Sequence, residues 1–370
     1  MKKDSGKIDH IFLLLILGLT IFGLLILASA SGPVAYTDKF GDSFYFVKHQ
    51  VLSGVLPGFV LMFLASIFPY QMYKKVAFPL LILSIALLIL VFIPGIGTDF
   101  GTFANSWVQI GGLSFQPAEI VKLTFLIYLC AWMAQRAGGG KIQDFSEGLM
   151  PFLFIIGSIA GLILLQPDLG TLSIIGAVAL IIYFVAGGSI KHLLAIGVGC
   201  VAAFFLLIQM SPYRAERLMT FLHPELDPQG IGYQINQALL AIGSGGWFGR
   251  GYGHSLQKYQ YLPEVIGDSI FAVMAEELGF FFSMLFLIAF VIMILRGLEL
   301  ARNAPDKFGS YLIIGIVSWF GVQAFVNIGA MVGILPITGV PLPFLSYGGT
   351  ALVVSLAAAG VVLNISKSVK

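Results

Sequence analysis

Long apolar runs separated by short polar stretches cover the chain from residue 9 to residue 364. A run of roughly 17–25 apolar residues can cross a bilayer as a helix. Ten runs qualify, near 9–30, 46–68, 76–94, 116–135, 147–165, 170–187, 192–210, 268–296, 309–333 and 345–364. The pattern predicts an all-α polytopic membrane protein. It would form a single membrane domain over 1–370, with ten transmembrane helices and a long extracytoplasmic loop between helices 7 and 8, about 211–267. Loops of that length are usually functional or disordered, and this one is not low in complexity. Ile235, Leu239 and Ile242 recur at spacings of four and three, which predicts a short amphipathic helix lying at the interface. Trp247 and Tyr252 beyond it are available as interfacial anchors.

Composition agrees with this class. The chain is 58% hydrophobic and 10% charged, whereas soluble domains run about 25% charged. Placement of charge adds an orientation. Lys2, Lys3, Lys7, Lys74, Lys75, Arg136, Lys141, Lys191, Arg296, Arg302, Lys307, Lys367 and Lys370, thirteen of the 20 basic residues, fall in the terminal segments and alternate short loops. The positive-inside rule then puts both termini in the cytoplasm of a multi-pass protein of the cell membrane. The first run, after MKKDSGKIDH, is near full spanning length and reads as a retained span rather than a cleaved signal. No basic run carries interleaved aromatics, so nucleic acid is not an expected partner. Cys130 and Cys200 both lie in apolar runs, which argues against a disulfide and against a metal site. No internal repeat of the kind found in many transporters is visible.

Several catalytic signatures are missing: GxxxxGK[ST], HExxH, GxSxG and a metal-holding DxD. Ser255-Leu-Gln-Lys258 matches the SxxK nucleophile motif but has no KTG partner, and reads as coincidence. The stretch 262–279, LPEVIGDSIFAVMAEELG, carries four carboxylates at the start of an apolar run. Acids in hydrocarbon are costly and mark functional sites by default. Pro263 suits a helix start. At about 100° per residue, Glu264 and Asp268 share one side near the outer rim, while Glu276 and Glu277 lie deeper, point in different directions and are expected to be structural. Partial desolvation of Asp268 would make it a stronger base. Asp168, in LLQPDLGTL, is either a helix N-cap or a site residue. Glu119 and Lys122, one turn apart in SFQPAEIVKL, form either an internal ion pair or part of a polar site. Arg214 and Arg217, also one turn apart, could clamp a diphosphate or contact lipid headgroups. The run GSGGWFGRG is either an anion-binding backbone or a flexible turn.

These motifs together resemble the SEDS family of shape, elongation, division and sporulation proteins, which includes FtsW, RodA and SpoVE. The resemblance spans nearly the whole chain and is carried by SFQPAEIVKL (114–123), LLQPDLGT (164–171), FLHPELDPQGIGYQINQALLAIGSGGWFGRGYG (221–253), LPEVIGDSIFAVMAEELG (262–279) and GILPITGVPLPFLSYGGTAL (333–352). FGDSFYFVKHQ (40–50) and LNISK (363–367) are more similar to FtsW than to RodA. The resemblance implies ten spans and a peptidoglycan glycosyltransferase that polymerises lipid II outside the membrane, working with a class B penicillin-binding protein among divisome or elongasome membrane proteins. It implies Asp268 as the catalytic base. Substrate would be bound by Lys122, Arg214, Arg217 and Lys258 at the diphosphate, with Glu119, Asp168 and Glu264 completing the set. No metal ligand and no certain cofactor is implied, which leaves room for a divalent cation. Two departures stand out: Ile266-Gly267 where the family usually has His-Thr, and Asn105-Ser106 before Trp107 where Arg-Arg is common. The alternatives to a polymerase are a lipid II flippase, which would also need intramembrane acids and a lysine, and a non-catalytic scaffold for a penicillin-binding protein.

Overall fold

A computed structural model describes residues 6–37, 41–98, 106–138, 140–209, 212–223 and 231–369. In chain order the helices are α1 (His10–Thr37), α2 (Tyr45–Ile67), α3 (Tyr70–Lys75), α4 (Ala77–Leu90), α5 (Pro117–Arg136) and α6 (Phe145–Leu165). They continue with α7 (Leu169–Val185), α8 (Ile190–Gln209), α9 (Pro212–Leu222), α10 (Ile231–Ser244), α11 (Ile270–Arg302), α12 (Lys307–Met331) and α13 (Gly349–Ser366). Seven of them (α1, α2, α5, α6, α11, α12 and α13) are long and apolar enough to cross a membrane. The remaining three apolar runs fall on α4, α7 and the first part of α8, which are apolar but shorter.

Local chemistry sets where these helices begin. The Asp168 carboxylate accepts from Thr171 N at 2.9 Å at the start of α7, and Asp306 accepts from Gly309 N at 2.7 Å at the start of α12. Pro117 opens α5, where a missing N–H costs nothing. The centre of the bundle is α5, α12 and α13, whose apolar stretches are mostly enclosed, whereas α1, α2, α6 and α11 leave most of theirs open. Large apolar side chains such as Leu14, Phe63, Phe154 and Leu295 are exposed on these outer helices; a surface of that kind marks contact with membrane. Close approach at the centre depends on small residues, as is usual between helices in membranes. A Cβ on Gly360 would sit 2.3 Å from the Met62 carbonyl oxygen, and one on Gly58 2.6 Å from the Leu356 side chain.

At one end of the bundle both termini meet the short loops. Asp9 pairs with Arg296 at 2.5 Å and its N–H donates to Ser366 Oγ at 3.0 Å. Tyr70 N donates to Asn364 Oδ1 at 2.9 Å, and its hydroxyl donates to Asp306. The other end carries residues 95–98, 106–116, 212–223, 231–269 and 332–348.

Three features there depart from expectation. First, the fold is not purely helical. β1 (Gly97–Thr98), β2 (Trp107–Ile110) and β3 (Leu113–Phe115) form a small antiparallel sheet in that order. Its second turn is Gly111-Gly112 with φ of 58° and 82°, the pair of positive angles that a tight two-residue hairpin needs. Second, the long connection is substantially structured. It contains α9 and α10, and the buried face of α10 is Ile235, Ala238 and Ala241, with Leu239 exposed. The stripe is shifted from the predicted Ile235, Leu239 and Ile242 because α10 packs against α11, and close helix contact selects alanine.

Third, α11 is interrupted. Gly279 adopts φ 75° and ψ −175°, and the segment 245–251 docks into the gap. Arg250 N and Gly251 N donate to the carbonyls of Glu276 and Glu277 at 3.0 and 2.9 Å. Phe280 N and Phe281 N donate to Gly246 O and Trp247 O at 2.9 and 3.1 Å. The glycine-rich run thus satisfies four backbone groups that the break would otherwise strand. An interrupted helix is tolerated at membrane depth only where such partners exist.

Candidate active site

The helical part of α11 begins at Ile270, not at Pro263, so Asp268 lies in a turn just before it. Glu264 has φ 52°, and its carbonyl accepts from both Gly267 N (3.0 Å) and Ser269 N (3.1 Å). That left-handed residue prevents 262–269 from continuing as helix, so the shared face assigned to Glu264 and Asp268 is replaced by a compact turn. Glu264 itself is exposed. Its Oε2 lies where a Cβ on Gly267 would come within 3.2 Å.

The turn is held by three successive carbonyls. Ile266 O accepts from Tyr347 N at 2.8 Å, Gly267 O from Ser346 Oγ at 2.7 Å, and Asp268 O from Asn327 Nδ2 at 2.8 Å. Asp268 is only 8% exposed. Ser346 and Tyr347 belong to the loop between α12 and α13. That loop is tied to α2 through Gln50, whose Oε1 accepts from Gly348 N, and through a 2.8 Å contact between Tyr347 Oη and His49 Nδ1. From the other side, Gln234 of α10 donates to Ser269 Oγ.

Glu119 and Lys122 form a buried ion pair of 2.8 Å on the first turns of α5, each side chain 2% exposed. Lys122 Nζ also donates to Gln323 Oε1 at 2.8 Å and lies over the Trp319 ring, 5.1 Å from its centroid. Gln323 receives the Trp319 indole N–H at 2.6 Å and donates through Nε2 to Pro341 O at 2.7 Å. Asn327, one turn further along α12, donates to Val340 O as well as to Asp268 O. Asp168 caps α7, and the adjacent Gly170 packs against the same segment: a Cβ there would lie 2.6 Å from Val340 Cγ2 and 2.8 Å from Thr338 O. Lys122 through Gln323, Asp268 through Asn327 and the start of α7 through Gly170 are thus each linked to the short segment 338–341. Glu119 Oε2 and Asp168 Oδ2 are buried acceptors without a hydrogen-bond partner among the described residues.

Lys258 sits in a second cluster. Its ammonium donates to Glu277 Oε1 (2.8 Å), Gly253 O (2.8 Å) and Ser29 Oγ (3.0 Å), and it is buried. Ser255 donates its hydroxyl to Glu276 Oε2 at 2.5 Å, and its N–H donates to Glu277 Oε1 at 3.3 Å. Leu256 N and Gln257 N also donate to Glu276. Glu276 and Glu277 are buried, as expected of structural acids, but they are not separate: the turn 253–258 wraps around both. The SxxK match is accounted for as well, because Ser255 Oγ is bonded to a carboxylate and the lysine ammonium to another. The backbone of Arg214 and Arg217 belongs to α9; their side chains lie outside the described residues, as does Asn105. Among the described residues no group of three or more His, Cys, Asp or Glu is placed to hold a metal ion.

Sequence reasoning missed Gln323, Asn327 and Ser346. The signal was present: two amides four residues apart inside an apolar run, where an unpartnered amide is costly and so announces a partner.

The family model described as cell cycle protein, and named for FtsW, RodA and SpoVE, matches residues 9–370. Stage V sporulation protein E of Bacillus subtilis is 39% identical over 366 residues, covering 99% of this chain and 98% of that protein. The probable peptidoglycan glycosyltransferase FtsW of Geobacter sulfurreducens is 38% identical over 368 residues, covering 100% and 97%. Among solved structures, a chain of a peptidoglycan synthase complex, studied for its coordination of polymerization and crosslinking, superposes with a TM-score of 0.79 at 27% identity over 97% of each chain. The rod shape determining protein RodA of Thermus thermophilus gives 0.71 at 26% identity over 97% and 96%.

Proposed function

Because this chain belongs to the family of cell-cycle membrane proteins that comprises FtsW, RodA and SpoVE, we propose that it is a peptidoglycan glycosyltransferase polymerising lipid II at the outer face of the membrane. The reading includes ten crossings, both termini in the cytoplasm and the Asp268 end outside. The observation that carries it is the Asp268 turn: a buried carboxylate at one end of the bundle, clamped through three carbonyls to two other elements.

The chemistry follows from the substrate. The 4-hydroxyl of a GlcNAc attacks C1 of a MurNAc, so an O–C1 bond forms while the bond from C1 to the diphosphate oxygen breaks. The hydroxyl proton passes to Asp268, and the lipid diphosphate leaves with the bonding pair. The leaving group is already activated, so no nucleotide is needed. A positioned base is worth typically 10²–10⁴-fold, and positive charge at the departing diphosphate adds electrostatic stabilisation. Lys122, linked through Gln323 to the segment that Asn327 ties to Asp268, is the proposed inner cation, and being buried on Glu119 it would meet the diphosphate only if that pair opened; Arg214 and Arg217 on α9 are the proposed outer contacts. Lys258, sealed against Glu277, would serve substrate only if that cluster opened. A glycan polymerised from lipid II carries peptide stems that a transpeptidase crosslinks, so we assign a class B penicillin-binding protein as partner. The likeness to a chain of a polymerization and crosslinking complex supports that assignment.

The test is reconstitution. Purified protein supplied with lipid II and its partner should make glycan strands. Asp268→Asn should abolish them while leaving folding intact. Translocation of labelled lipid II without polymer would favour a flippase. Growth of cells relying on Asp268→Ala would favour a scaffold.

A further inference from the structure

We infer that Gln323 and Asn327 are positioning residues that hold the base Asp268 and the cation Lys122 in fixed register across segment 338–341. The inference rests on the reading of Asp268 as the base.

The two residues are four apart on α12 and so share one face, about one 5.4 Å pitch apart. Each grips one of two consecutive carbonyls: Gln323 Nε2 to Pro341 O at 2.7 Å, and Asn327 Nδ2 to Val340 O at 2.8 Å. Each also holds one reacting partner. Gln323 Oε1 receives the Lys122 ammonium at 2.8 Å, and the second N–H of Asn327 goes to the main chain of Asp268 at 2.8 Å. Carbonyls only accept, and an ammonium and an indole N–H only donate, so the partners fix which way both amides point. Both residues are 2% exposed. They thus form a buried bar joining α5, the turn before α11 and the loop after α12.

Plain packing does not explain this choice of residues. Capping buried carbonyls accounts for the amide N–H groups, but it does not require that Gln323 also receive the Lys122 ammonium through Oε1. What an apolar pair cannot do is set the distance between an ammonium and a carboxylate-bearing turn. Misplacement of reacting groups by about 1 Å can cost about 10²-fold in rate.

The experiment uses the full chain with its crosslinking partner and lipid II at varied concentration. Asn327→Leu and Gln323→Met are compared with wild type, with Asp268→Asn run in parallel. We expect kcat to fall by about 10–100-fold for each variant, with KM within about twofold, beside a lowered melting temperature from the buried carbonyls each substitution strands. The double variant should lose less than the product of the single losses, because both residues grip one segment. A folded Asn327→Leu and Gln323→Met each polymerising within twofold of wild-type kcat would overturn the inference. So would a loss that appears only in KM or only in melting temperature. Should Asn327→Leu not fold, Asn327→Ser is judged by the same split. Wild-type rate in Asp268→Asn would instead sink the base assignment. An inactive Asp268→Asn beside a fully active Asn327→Leu sinks the positioning role alone.

Discussion

Replacing Gly279 by alanine separates two pictures of α11 by sign. If residues 270–302 formed one continuous helix, alanine would stabilise it by roughly 1 kcal/mol, the difference in helix propensity. The observed break predicts the opposite. Gly279 occupies φ 75° and ψ −175°, a region open almost only to glycine, where another residue costs about 1–3 kcal/mol. A Cβ would also lie 2.2 Å from Gly249 N and 2.6 Å from Phe248 C. Both are main-chain atoms, so the docked segment itself must retreat. That retreat breaks the hydrogen bonds of Arg250 N, Gly251 N, Phe280 N and Phe281 N, each worth about 1 kcal/mol net. The total, about 5–7 kcal/mol, is comparable with the whole stability of many domains, roughly 5–15 kcal/mol. The assay is thermal unfolding of the purified protein in detergent, followed by monodispersity on size exclusion, with polymerisation measured below the transition. We expect Gly279→Ala to melt far lower and to lose activity, since the half-helix that follows the Asp268 turn is held by this junction. An equal or higher melting temperature would refute the reasoning.

Lys258→Met leaves the Glu277 carboxylate buried with only neutral donors and should destabilise by about 3–5 kcal/mol, read by melting; Glu277→Gln in the same chain should recover much of the loss. If Lys258 met the diphosphate instead, KM would rise with melting unchanged. Asp168→Ala should cost about 1 kcal/mol through loss of the α7 cap, and Asp168→Ser should restore it; polymerisation lost in a stable Asp168→Ser would show that Oδ2 meets substrate. At the terminal end, burial by itself pushes the Asp9 carboxyl up, but the Arg296 hydrogen bond, the Phe12 N–H and the nearby positive charge together outweigh it and hold it below its ordinary value. A depressed acid contributes stability above its unfolded pKa of about 3.9 that is lost as pH falls through the folded value. Hydrogen exchange around residues 7–12 should therefore rise below about pH 4, and Asp9→Asn should remove that dependence.

The apolar runs were legible because hydrocarbon demands a nearly unbroken stretch of apolar side chains, a signal carried in every residue. The stretch 262–279 stood out because acids beside such a run are rare, and the resemblance, not the pattern, singled out Asp268 among them. What did not show was pairing across distance. Gly279 is one glycine among many in the sequence, and its meaning lies in segment 245–251 far upstream. Glu276 and Glu277 point apart by helix phase, which is correct for the helix, yet the turn 253–258 reaches both. Gln323 and Asn327 were missed because the partners of their amide N–H groups are backbone carbonyls, which every residue has and no pattern marks. Helix phase misled at 262–269 because a single left-handed residue, Glu264, ends the periodicity on which phase depends.

The departure at Ile266-Gly267 can be weighed on the same footing. A His-Thr pair would bring an imidazole and a hydroxyl beside the carboxylate. Here the turn is held instead by the main-chain oxygens of Ile266, Gly267 and Asp268, and any residue supplies a carbonyl. Losing the polar side chains therefore leaves the frame of the turn intact. Gly267 also sits within 3.2 Å of Glu264 Oε2 at its Cβ position, so a threonine there would need the glutamate to swing aside. Gly267→Thr alone should crowd the exposed Glu264 carboxylate and change the rate of polymerisation without changing the fold, because the obstacle is the far end of a flexible side chain. Paired with Glu264→Ala, which removes the obstacle, Gly267→Thr should return toward the rate of Glu264→Ala alone. Additive losses in that cycle would mean that the departure acts on Asp268 directly and not through Glu264.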